Sequence, residues 1–379
     1  MSEQKIITAE NNYSALDKYI TENGCKSIML VCDESLKYLN IKNYFNTIEH
    51  RLNISLTHFS DFKPNPLYES VVEGVRLFKE NFCDSIIAVG GGSAMDVAKC
   101  IKLYSNMNDE ENYLKQTIVP NGIPLIAVPT TAGTGSEATR YAVIYYNGEK
   151  QSVADYSCIP SVVLMDPSVL KTLPEYQKKS TMLDALCHAI ESFWSVNSTE
   201  ESREFSKTAI QMILANKDAY LANEESGNAA MLKASNIAGK AINITQTTAG
   251  HAMCYKLTSL FGIAHGHAAA LCVCRLFPFM VRHTEKCIDP RGEDFLKDIF
   301  TQISDAMGCE NPDQACTKFN DVFDSLTISV PKAEEKDFAI LKKSVNPTRL
   351  KNNPVGLEIK DIDMLYHEIL AERKKKDES

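Results

Sequence analysis

Short apolar runs alternate with longer stretches of helical spacing through about the first 170 residues of the chain. Apolar runs of this length that lie between turn-forming residues are typical of buried strands. The clearest predicted strands are residues 27–32, 85–89, 124–128 and 162–165. This alternation predicts an α/β domain with a largely parallel sheet.

Two further segments, residues 140–146 and 149–154, are separated only by Asn147 and Gly148. An Asn-Gly pair supplies the two positive φ angles that a type I′ turn requires. The pattern therefore predicts an antiparallel hairpin beside the main sheet.

Strand patterns fade after Pro174, and helical periodicity takes over. The predicted helices are residues 178–195, 199–216, 229–244, 295–307 and 362–373. We therefore expect two domains, an α/β domain over residues 1–170 and an all-helical domain over residues 171–379.

Composition narrows the class of protein. The chain has 379 residues, 44% of them hydrophobic, which is enough for two domain cores. Its formal net charge of −9 argues against a nucleic-acid partner, and we interpret Lys374, Lys375 and Lys376 as a solvated tail. No apolar run reaches the roughly 18 residues of a membrane helix, and the N-terminus lacks the layout of a signal peptide. We expect a soluble, cytoplasmic protein without a membrane partner.

The twelve cysteines are scattered along a long chain and form no CxxC pair. Disulfide frameworks are typical of short secreted chains, and zinc ribbons need closely spaced cysteines. The pattern predicts free thiols in a reducing compartment.

A glycine-rich segment, Gly90, Gly91, Gly92 and Ser93, joins a predicted strand to a predicted helix. Glycines let a phosphate approach the backbone closely, and the first amides of the helix face it with the favourable end of the helix dipole. Asp96 and Lys99 lie in the first turns of that helix, where Lys99 could reach ligand oxygens. A tight turn that needs glycine is the alternative interpretation.

A second segment of the same kind, residues 129–137, follows the next predicted strand and is dense in hydroxyl groups. Its candidate ligand-binding residues are Thr130, Thr131, Thr134 and Ser136. Two such loops at the ends of neighbouring strands suit a dinucleotide. Asp33, at the end of the first predicted strand, could bond a ribose hydroxyl and thereby favour NAD over NADP, or it could be an ordinary turn or helix-cap acid.

Two clusters of residues suggest a metal site. Asp184 and His188 are four residues apart in an apolar predicted helix, so both lie on one face and need a partner there. His251, His265 and His267 follow in a segment of small and apolar residues. Taken singly, each cluster also fits a surface pair or a core histidine.

Four motifs together resemble the iron-dependent alcohol dehydrogenases over residues 26–363: GGGSxxDxAK, PTTAGTGSE, DAxxHxxES, and HAM followed by HG. The resemblance implies a dehydroquinate synthase-like fold, with a Rossmann-like dinucleotide-binding domain and a C-terminal helical metal-binding domain. It implies the metal ligands Asp184, His188, His251 and His265. It also implies Fe²⁺ as the metal, a homodimer, and NAD(H) at the two glycine loops. The cofactor residues it implies are Gly90, Gly91, Gly92, Ser93, Asp96, Thr130, Thr131, Thr134 and Ser136, with Asp33 as the acid that selects NAD. By ligand type the four residues suit Zn²⁺ equally well.

The mechanism that the resemblance implies is hydride transfer between a nicotinamide and a substrate whose oxygen lies on the metal. Many family members carry a histidine four residues after the third ligand, where this chain has Tyr255. Tyr255 and His267 are therefore the candidate proton relays, with a purely structural role as the alternative for each. Ala264 and the pair Cys274-Arg275 are smaller departures from the family pattern.

The stretch before His251 is polar, and Lys240, Asn243 and Thr247 recur at helical spacing that puts them on one face. With Arg140 they could bind an anionic group. The segments DALCHAIESFWSVNSTEES, KAINITQTTAGHAMCYKLTSLFGIAHGHA and VNPTRLKNNPV look most like the phosphonoacetaldehyde reductase branch of the family. We predict NADH-linked reduction of phosphonoacetaldehyde to 2-hydroxyethylphosphonate. A short-chain primary alcohol or diol dehydrogenase of the lactaldehyde or propanediol type is the alternative enzyme, and an idle metal- or nucleotide-binding protein is the alternative class.

Overall fold

The structure, a computed structural model, describes residues 4–9, 12–345 and 350–371. The chain divides into two compact units, Met1–Leu173 with Asp218–Gly239, and Pro174–Lys217 with Lys240–Ser379. The chain passes from the first unit to the second after Leu173, close to the boundary expected at residue 170. Asp218–Gly239, however, groups with the α/β unit and not with the helical unit. Local packing explains this grouping, because the amide of Asn236 donates to the buried carboxylate of Glu137 at 3.3 Å.

The first unit contains a six-stranded parallel sheet. Its strands are β1 (Lys5–Thr8), β2 (Ser27–Cys32), β3 (Ser55–Phe59), β4 (Ser85–Gly90), β5 (Leu125–Pro129) and β8 (Val162–Met165). Their order in the sheet is β1-β8-β5-β4-β2-β3. The parallel sheet confirms the prediction. The two strands missed from the sequence, β1 and β3, are the edge strands, whose exposed side weakens the apolar pattern.

The predicted hairpin is also present as β6 (Tyr141–Tyr146) and β7 (Glu149–Ala154), which pair antiparallel. Asn147 and Gly148 have φ angles of 51° and 77°, as a type I′ turn requires. Helices α1 (Ser14–Glu22), α2 (Lys42–Leu52), α3 (Tyr68–Glu80) and α4 (Gly92–Tyr104) connect the strands of the main sheet.

The second unit is helical, as predicted. Its helices are α5 (Glu175–Trp194), α8 (Ala249–Phe261), α9 (His265–Arg282), α10 (Glu293–Ala306), α11 (Pro312–Ser325), α12 (Glu335–Ser344) and α13 (Ile359–Leu370). Two more helices, α6 (Glu200–Leu221) and α7 (Glu225–Thr245), have residues in both units. The core of the second unit includes the rings of Trp194, Phe277 and Phe300.

Three sequence expectations concern the end of the chain and the environment of the protein. The lysine tail, Arg373 of the last predicted helix and residues 346–349 of the segment VNPTRLKNNPV lie outside the described residues. All twelve cysteines are free thiols, most of them buried. Within the described ranges, no helix has both the length and the apolar character needed to cross a membrane.

Candidate functional site

A buried cluster of three side chains in the second unit could hold a metal ion. Asp184 and His188 project from α5 and His251 from α8, and one ligand atom from each lies within 4.8 Å of the other two. The rings of His188 and His251 stack at 4.5 Å, and Nε2 of His251 is 3.4 Å from Oδ1 of Asp184. One carboxylate and two imidazoles are donors that suit Fe²⁺ or Zn²⁺.

Two glycines let the helices approach closely enough to build this cluster. A Cβ atom on Gly266, in the first turn of α9, would lie 2.6 Å from Cβ of Asp184. A Cβ atom on Gly250, in the first turn of α8, would lie 2.3 Å from a carboxylate oxygen of Glu191. Real Cβ atoms essentially never make such short contacts, so glycine is required at both positions.

The fourth expected ligand, His265, lies beside the three-residue cluster without belonging to it. Its ring centroid is 5.3 Å from that of His251, and the Cys254 sulfur is 3.7 Å from its Nδ1. His265 is the first residue of α9, and its charge still acts on Asp184. Its place as a ligand stays a prediction.

The charged groups of the cluster shift one another's pKa values. Burial alone would raise the pKa of Asp184, but His188, His251 and His265 outweigh burial and hold it well below its ordinary value. Burial alone would lower the pKa of His251, but the carboxylates of Glu191 and Asp184 raise it to about 9. The two carboxylates therefore favour a positive charge at this cluster, which fits a divalent metal ion.

Glu191 belongs to the DAxxHxxES motif, but the sequence alone assigns it no role. Its side chain is fully buried, and Oε1 lies 2.7 Å from Nδ1 of His251. The signal that could have identified it is its spacing, since it follows His188 by three residues on the same face of α5. A carboxylate on the second nitrogen of a ligand histidine is a common part of metal sites.

The two candidate proton relays have different surroundings. The ring of Tyr255 stacks on His265 with centroids 5.3 Å apart, and Tyr255 is only half-buried. His267 is buried, with Nδ1 at 3.0 Å from the Tyr176 hydroxyl and its ring against Phe323. Tyr255 is thus in ring contact with an expected metal ligand, and the ring of His267 contacts Tyr176 and Phe323.

In the first unit, the two glycine-rich segments lie together because β4 and β5 are neighbouring parallel strands. The Thr130 amide donates to the Gly90 carbonyl at 3.0 Å. A Cβ atom on Gly91 would lie 3.4 Å from the Thr131 side chain, and one on Gly92 would lie 3.2 Å from Thr134. Ser93 follows in the first turn of α4. The loops therefore form one surface at the carboxyl end of the sheet, where α/β proteins bind nucleotides.

Some residues predicted to bind cofactor instead bond one another. The Asp96 carboxylate accepts from the Ser136 hydroxyl at 2.9 Å and from the Val143 amide at 3.1 Å. Lys99, expected to reach ligand oxygens, is fully buried, and its ammonium donates to the carbonyls of Ser136 and Tyr141 at 2.5 and 2.7 Å. The expectation for Lys99 is wrong: this ammonium group shapes the second loop from inside the protein.

Asp33 lies at the end of β2, the neighbour of β4 in the sheet. Its Oδ1 accepts from the Ser35 amide at 2.8 Å and so caps a short 3₁₀ helix. Its Oδ2 lies 3.9 Å from the position that a Cβ atom on Gly90 would occupy, and Asp33 borders a cavity of about 220 Å³. Asp33 therefore caps a helix, and the selection of NAD by the same side chain stays a prediction.

The prediction that Lys240, Asn243 and Thr247 share one helix face is only partly correct. Helix α7 ends at Thr245, and Gln246 has a φ of 60°, so Thr247 lies in the loop beyond the helix. Lys240 and Asn243 alone remain at helical spacing. Arg140 lies in the first unit, with its guanidinium 4.5 Å from the centroid of the Tyr156 ring.

Glycine loops at the carboxyl ends of parallel strands, and a buried Asp-His-His cluster in a helical unit, define a two-unit metalloprotein of the dehydrogenase class. The chain belongs to the iron-containing alcohol dehydrogenase family. The family model for iron-containing alcohol dehydrogenase matches residues 3–167, and the model for the C-terminal region of Fe-containing alcohol dehydrogenases matches residues 178–370.

Relatives within the family are named for different substrates. The chain is 31% identical to 1,3-propanediol dehydrogenase of Citrobacter freundii, over 69% of this chain and 68% of that protein. It is 27% identical to phosphonoacetaldehyde reductase of Streptomyces viridochromogenes, over 79% of this chain and 80% of that protein. It is 31% identical to aldehyde-alcohol dehydrogenase 2 of Entamoeba histolytica over 70% of this chain, but spans only 32% of that protein's length.

The fold is shared with solved structures. Sulfoacetaldehyde reductase from Bifidobacterium kashiwanohense, solved in complex with NAD⁺, superposes with a TM-score of 0.86 over 97% of each chain at 24% identity. Likeness at this level of identity supports the fold assignment.

Proposed function

We propose that the protein is a metal-dependent, NAD(H)-linked reductase that converts a small aldehyde to a primary alcohol. The observation that carries the proposal is the buried cluster of Asp184, His188 and His251, together with two glycine loops at the carboxyl end of a parallel sheet. A mere binding protein would need no nicotinamide-type site in the same chain as a buried metal cluster.

The proposed metal ligands are Asp184, His188 and His251, with His265 as the fourth. We propose iron, since the family is iron-containing, and zinc suits the same donors. An ion held there would act as a Lewis acid on the oxygen of the aldehyde. The task of the protein is to hold the donors rigidly and to keep the cluster dry, which the burial of all three residues favours.

The overall reaction consumes an aldehyde, NADH and one proton and yields a primary alcohol and NAD⁺. The proton is the component that a side chain has to deliver to the former carbonyl oxygen. We propose the Tyr255 hydroxyl for this role, because its ring stacks on His265. The proposed cofactor residues are Asp33, Gly90, Gly91, Gly92, Ser93, Asp96, Thr130, Thr131, Thr134 and Ser136, with Asp96 and Ser136 acting through the shape of the second loop.

The proposed substrate is phosphonoacetaldehyde, and the product is 2-hydroxyethylphosphonate. Lys240 and Asn243, in the last turns of α7, offer an ammonium and an amide to an anionic group, with Thr247 and Arg140 as further candidates. Two similar proteins, a phosphonoacetaldehyde reductase and a sulfoacetaldehyde reductase, are named for aldehydes that carry an anionic group. The competing candidate is a short-chain alcohol or diol dehydrogenase, which the higher identity to 1,3-propanediol dehydrogenase favours.

An aldehyde panel separates the two candidates. NADH oxidation is measured with phosphonoacetaldehyde, sulfoacetaldehyde, propionaldehyde and lactaldehyde on protein of known metal content. We expect the highest kcat/KM with phosphonoacetaldehyde. We also expect Lys240→Ala to raise its KM about tenfold without changing the KM for propionaldehyde, because the lost ion pair concerns only the anion.

Lys233→Ala is the matched control, since Lys233 is an exposed lysine on the same helix. Equal or better activity with the neutral aldehydes would favour the diol-type enzyme and contradict the substrate proposal. So would an unchanged KM for phosphonoacetaldehyde in Lys240→Ala.

The same proposal includes an oligomeric state and a cellular location. We propose a homodimer, which light scattering on the purified protein tests, and a cytoplasmic location, which fractionation of the host cell tests. A monomer at assay concentration would contradict the first, and recovery of the protein from a membrane or extracellular fraction would contradict the second.

A further inference from the structure

A continuous set of buried hydrogen bonds connects the metal cluster to the only tryptophan of the chain. Nε1 of Trp194 donates to the Thr248 hydroxyl at 2.8 Å, and that hydroxyl lies 2.7 Å from Oε2 of Glu191. The Thr248 amide donates to the same oxygen at 2.6 Å. The other oxygen of Glu191 lies 2.7 Å from Nδ1 of His251. All four residues are buried.

The chemistry of the groups determines the direction of every bond. An indole N–H can only donate, so the Thr248 oxygen accepts there and its single proton is directed to Glu191. An ionised carboxylate can only accept, so Nδ1 of His251 must carry the proton of that imidazole. In the neutral ring that a metal ion requires, the lone pair of His251 is then on Nε2, the nitrogen 3.4 Å from Asp184.

The backbone is built to keep this arrangement. Thr248 immediately precedes α8, three residues before His251, whereas Glu191 lies on α5, three residues after His188. The set of bonds therefore links the two helices that supply the cluster. Gly250 leaves room for it, since a Cβ atom there would lie 2.3 Å from Oε1 of Glu191.

A buried carboxylate is unfavourable unless its oxygens are hydrogen-bonded, and an apolar side chain would fill the same space more cheaply. We propose that Glu191, Thr248 and Trp194 are positioning residues that hold His251 in the tautomer and orientation a metal ion requires. The fluorescence of Trp194 then reports whether the ion is bound. The inference rests on the metal centre of the proposed function but is independent of the aldehyde that the enzyme uses.

The test measures metal binding directly, without aldehyde or NADH. Metal-free protein is titrated with Co²⁺ in competition with a chelator, and both the visible absorption of Co²⁺ and the emission of Trp194 are recorded. We expect Glu191→Gln to lower the affinity for Co²⁺ by about 10- to 100-fold and to change the Co²⁺ spectrum, because a supporting partner of a ligand histidine is lost. We expect Co²⁺ to change the emission of Trp194 in the wild-type protein and to change it less in Thr248→Val.

Three threonine variants separate positioning from simple packing. Thr248→Ser keeps the hydroxyl and should bind Co²⁺ as the wild type does, whereas Thr248→Val removes it and should bind more weakly. Thr245→Val removes a buried hydroxyl that bonds Ser192 instead, and should leave the Co²⁺ affinity unchanged. If Glu191→Gln does not fold, the comparison of the two Thr248 variants decides the question.

Co²⁺ affinities within twofold of the wild type in folded Glu191→Gln and Thr248→Val would overturn the inference. Equal losses in Thr248→Ser and Thr248→Val would also overturn it. Failure of the aldehyde panel leaves these measurements intact, so the two proposals can fail separately.

Discussion

The backbones of Gly135 and Gly239 meet in the first unit. A Cβ atom on Gly239, in α7, would lie 2.5 Å from the carbonyl oxygen of Gly135, in the second glycine-rich loop. Gly135 itself has a φ of 57°, a conformation that favours glycine. The helix therefore supports the loop through direct contact of main chains, and neither position has room for a side chain.

Gly239→Ala should weaken NADH binding by about tenfold or more, because the added methyl group must displace the loop or the helix. We also expect a loss of stability of about 1–3 kcal/mol. The dissociation constant is read from NADH fluorescence and stability from urea unfolding. Gly122→Ala is the control, since a Cβ atom there meets nothing within 4 Å. NADH affinity equal to the wild type in Gly239→Ala would refute this support role.

Asp33→Ser should improve the use of NADPH relative to NADH by at least about tenfold. The substitution removes a negative charge that would repel a 2′-phosphate, yet serine can still cap the short helix that Asp33 caps. The readout is the ratio of the two kcat/KM values. Asp155→Ser is the matched control, because Asp155 caps another short helix in the same way. If the ratio moves equally in both variants, Asp33 has no selective role.

Tyr255→Phe tests the proposed proton donor. Phenylalanine keeps the ring against His265 but has no hydroxyl, so kcat should fall by about 100-fold or more while NADH binding stays constant. Tyr176→Phe instead removes the partner of His267 and should affect stability more than kcat. A large loss of kcat in Tyr176→Phe with little effect of Tyr255→Phe would assign the proton to His267.

Metal affinity should depend on pH with a definite sign. Burial opposes a charge on His251, but Glu191 and Asp184 outweigh it and raise the pKa of His251 to about 9, so the metal-free site carries a proton at neutral pH. A bound metal ion must displace that proton. Affinity should therefore rise by about tenfold per pH unit between pH 7 and 9 and level off above pH 9. Chelator-buffered Zn²⁺ titrations measure this slope, and an affinity independent of pH over that interval would contradict it.

Sequence patterns were sufficient for the central strands, the hairpin and the change to helices, because buried strands and an Asn-Gly turn have strong local signals. They were insufficient where the deciding contact is tertiary. The burial of Lys99 depends on one carbonyl from the second loop and one from β6, which only the fold brings together. The end of α7 depends on the left-handed conformation of Gln246, which no glycine marks.

The candidate site shows the same limit. The four ligands were assigned through spacing and family resemblance, and the structure brings three of them together. The sequence does not identify Glu191, because a glutamate in a helix is usually a surface residue and only the fold shows that α8 covers it. Thr248 likewise gains its role from Trp194 and Glu191, which are distant in sequence.

Removal and return of the metal tests the central claim most directly. Protein is freed of metal with a chelator, assayed for metal content, and then given Fe²⁺ or Zn²⁺ under anaerobic conditions with NADH and phosphonoacetaldehyde. We expect NADH oxidation to disappear with the metal, to return with about one ion per chain, and to stay absent in Asp184→Asn. Full aldehyde reduction by protein that contains less than about a tenth of an ion per chain would contradict a metal-dependent mechanism.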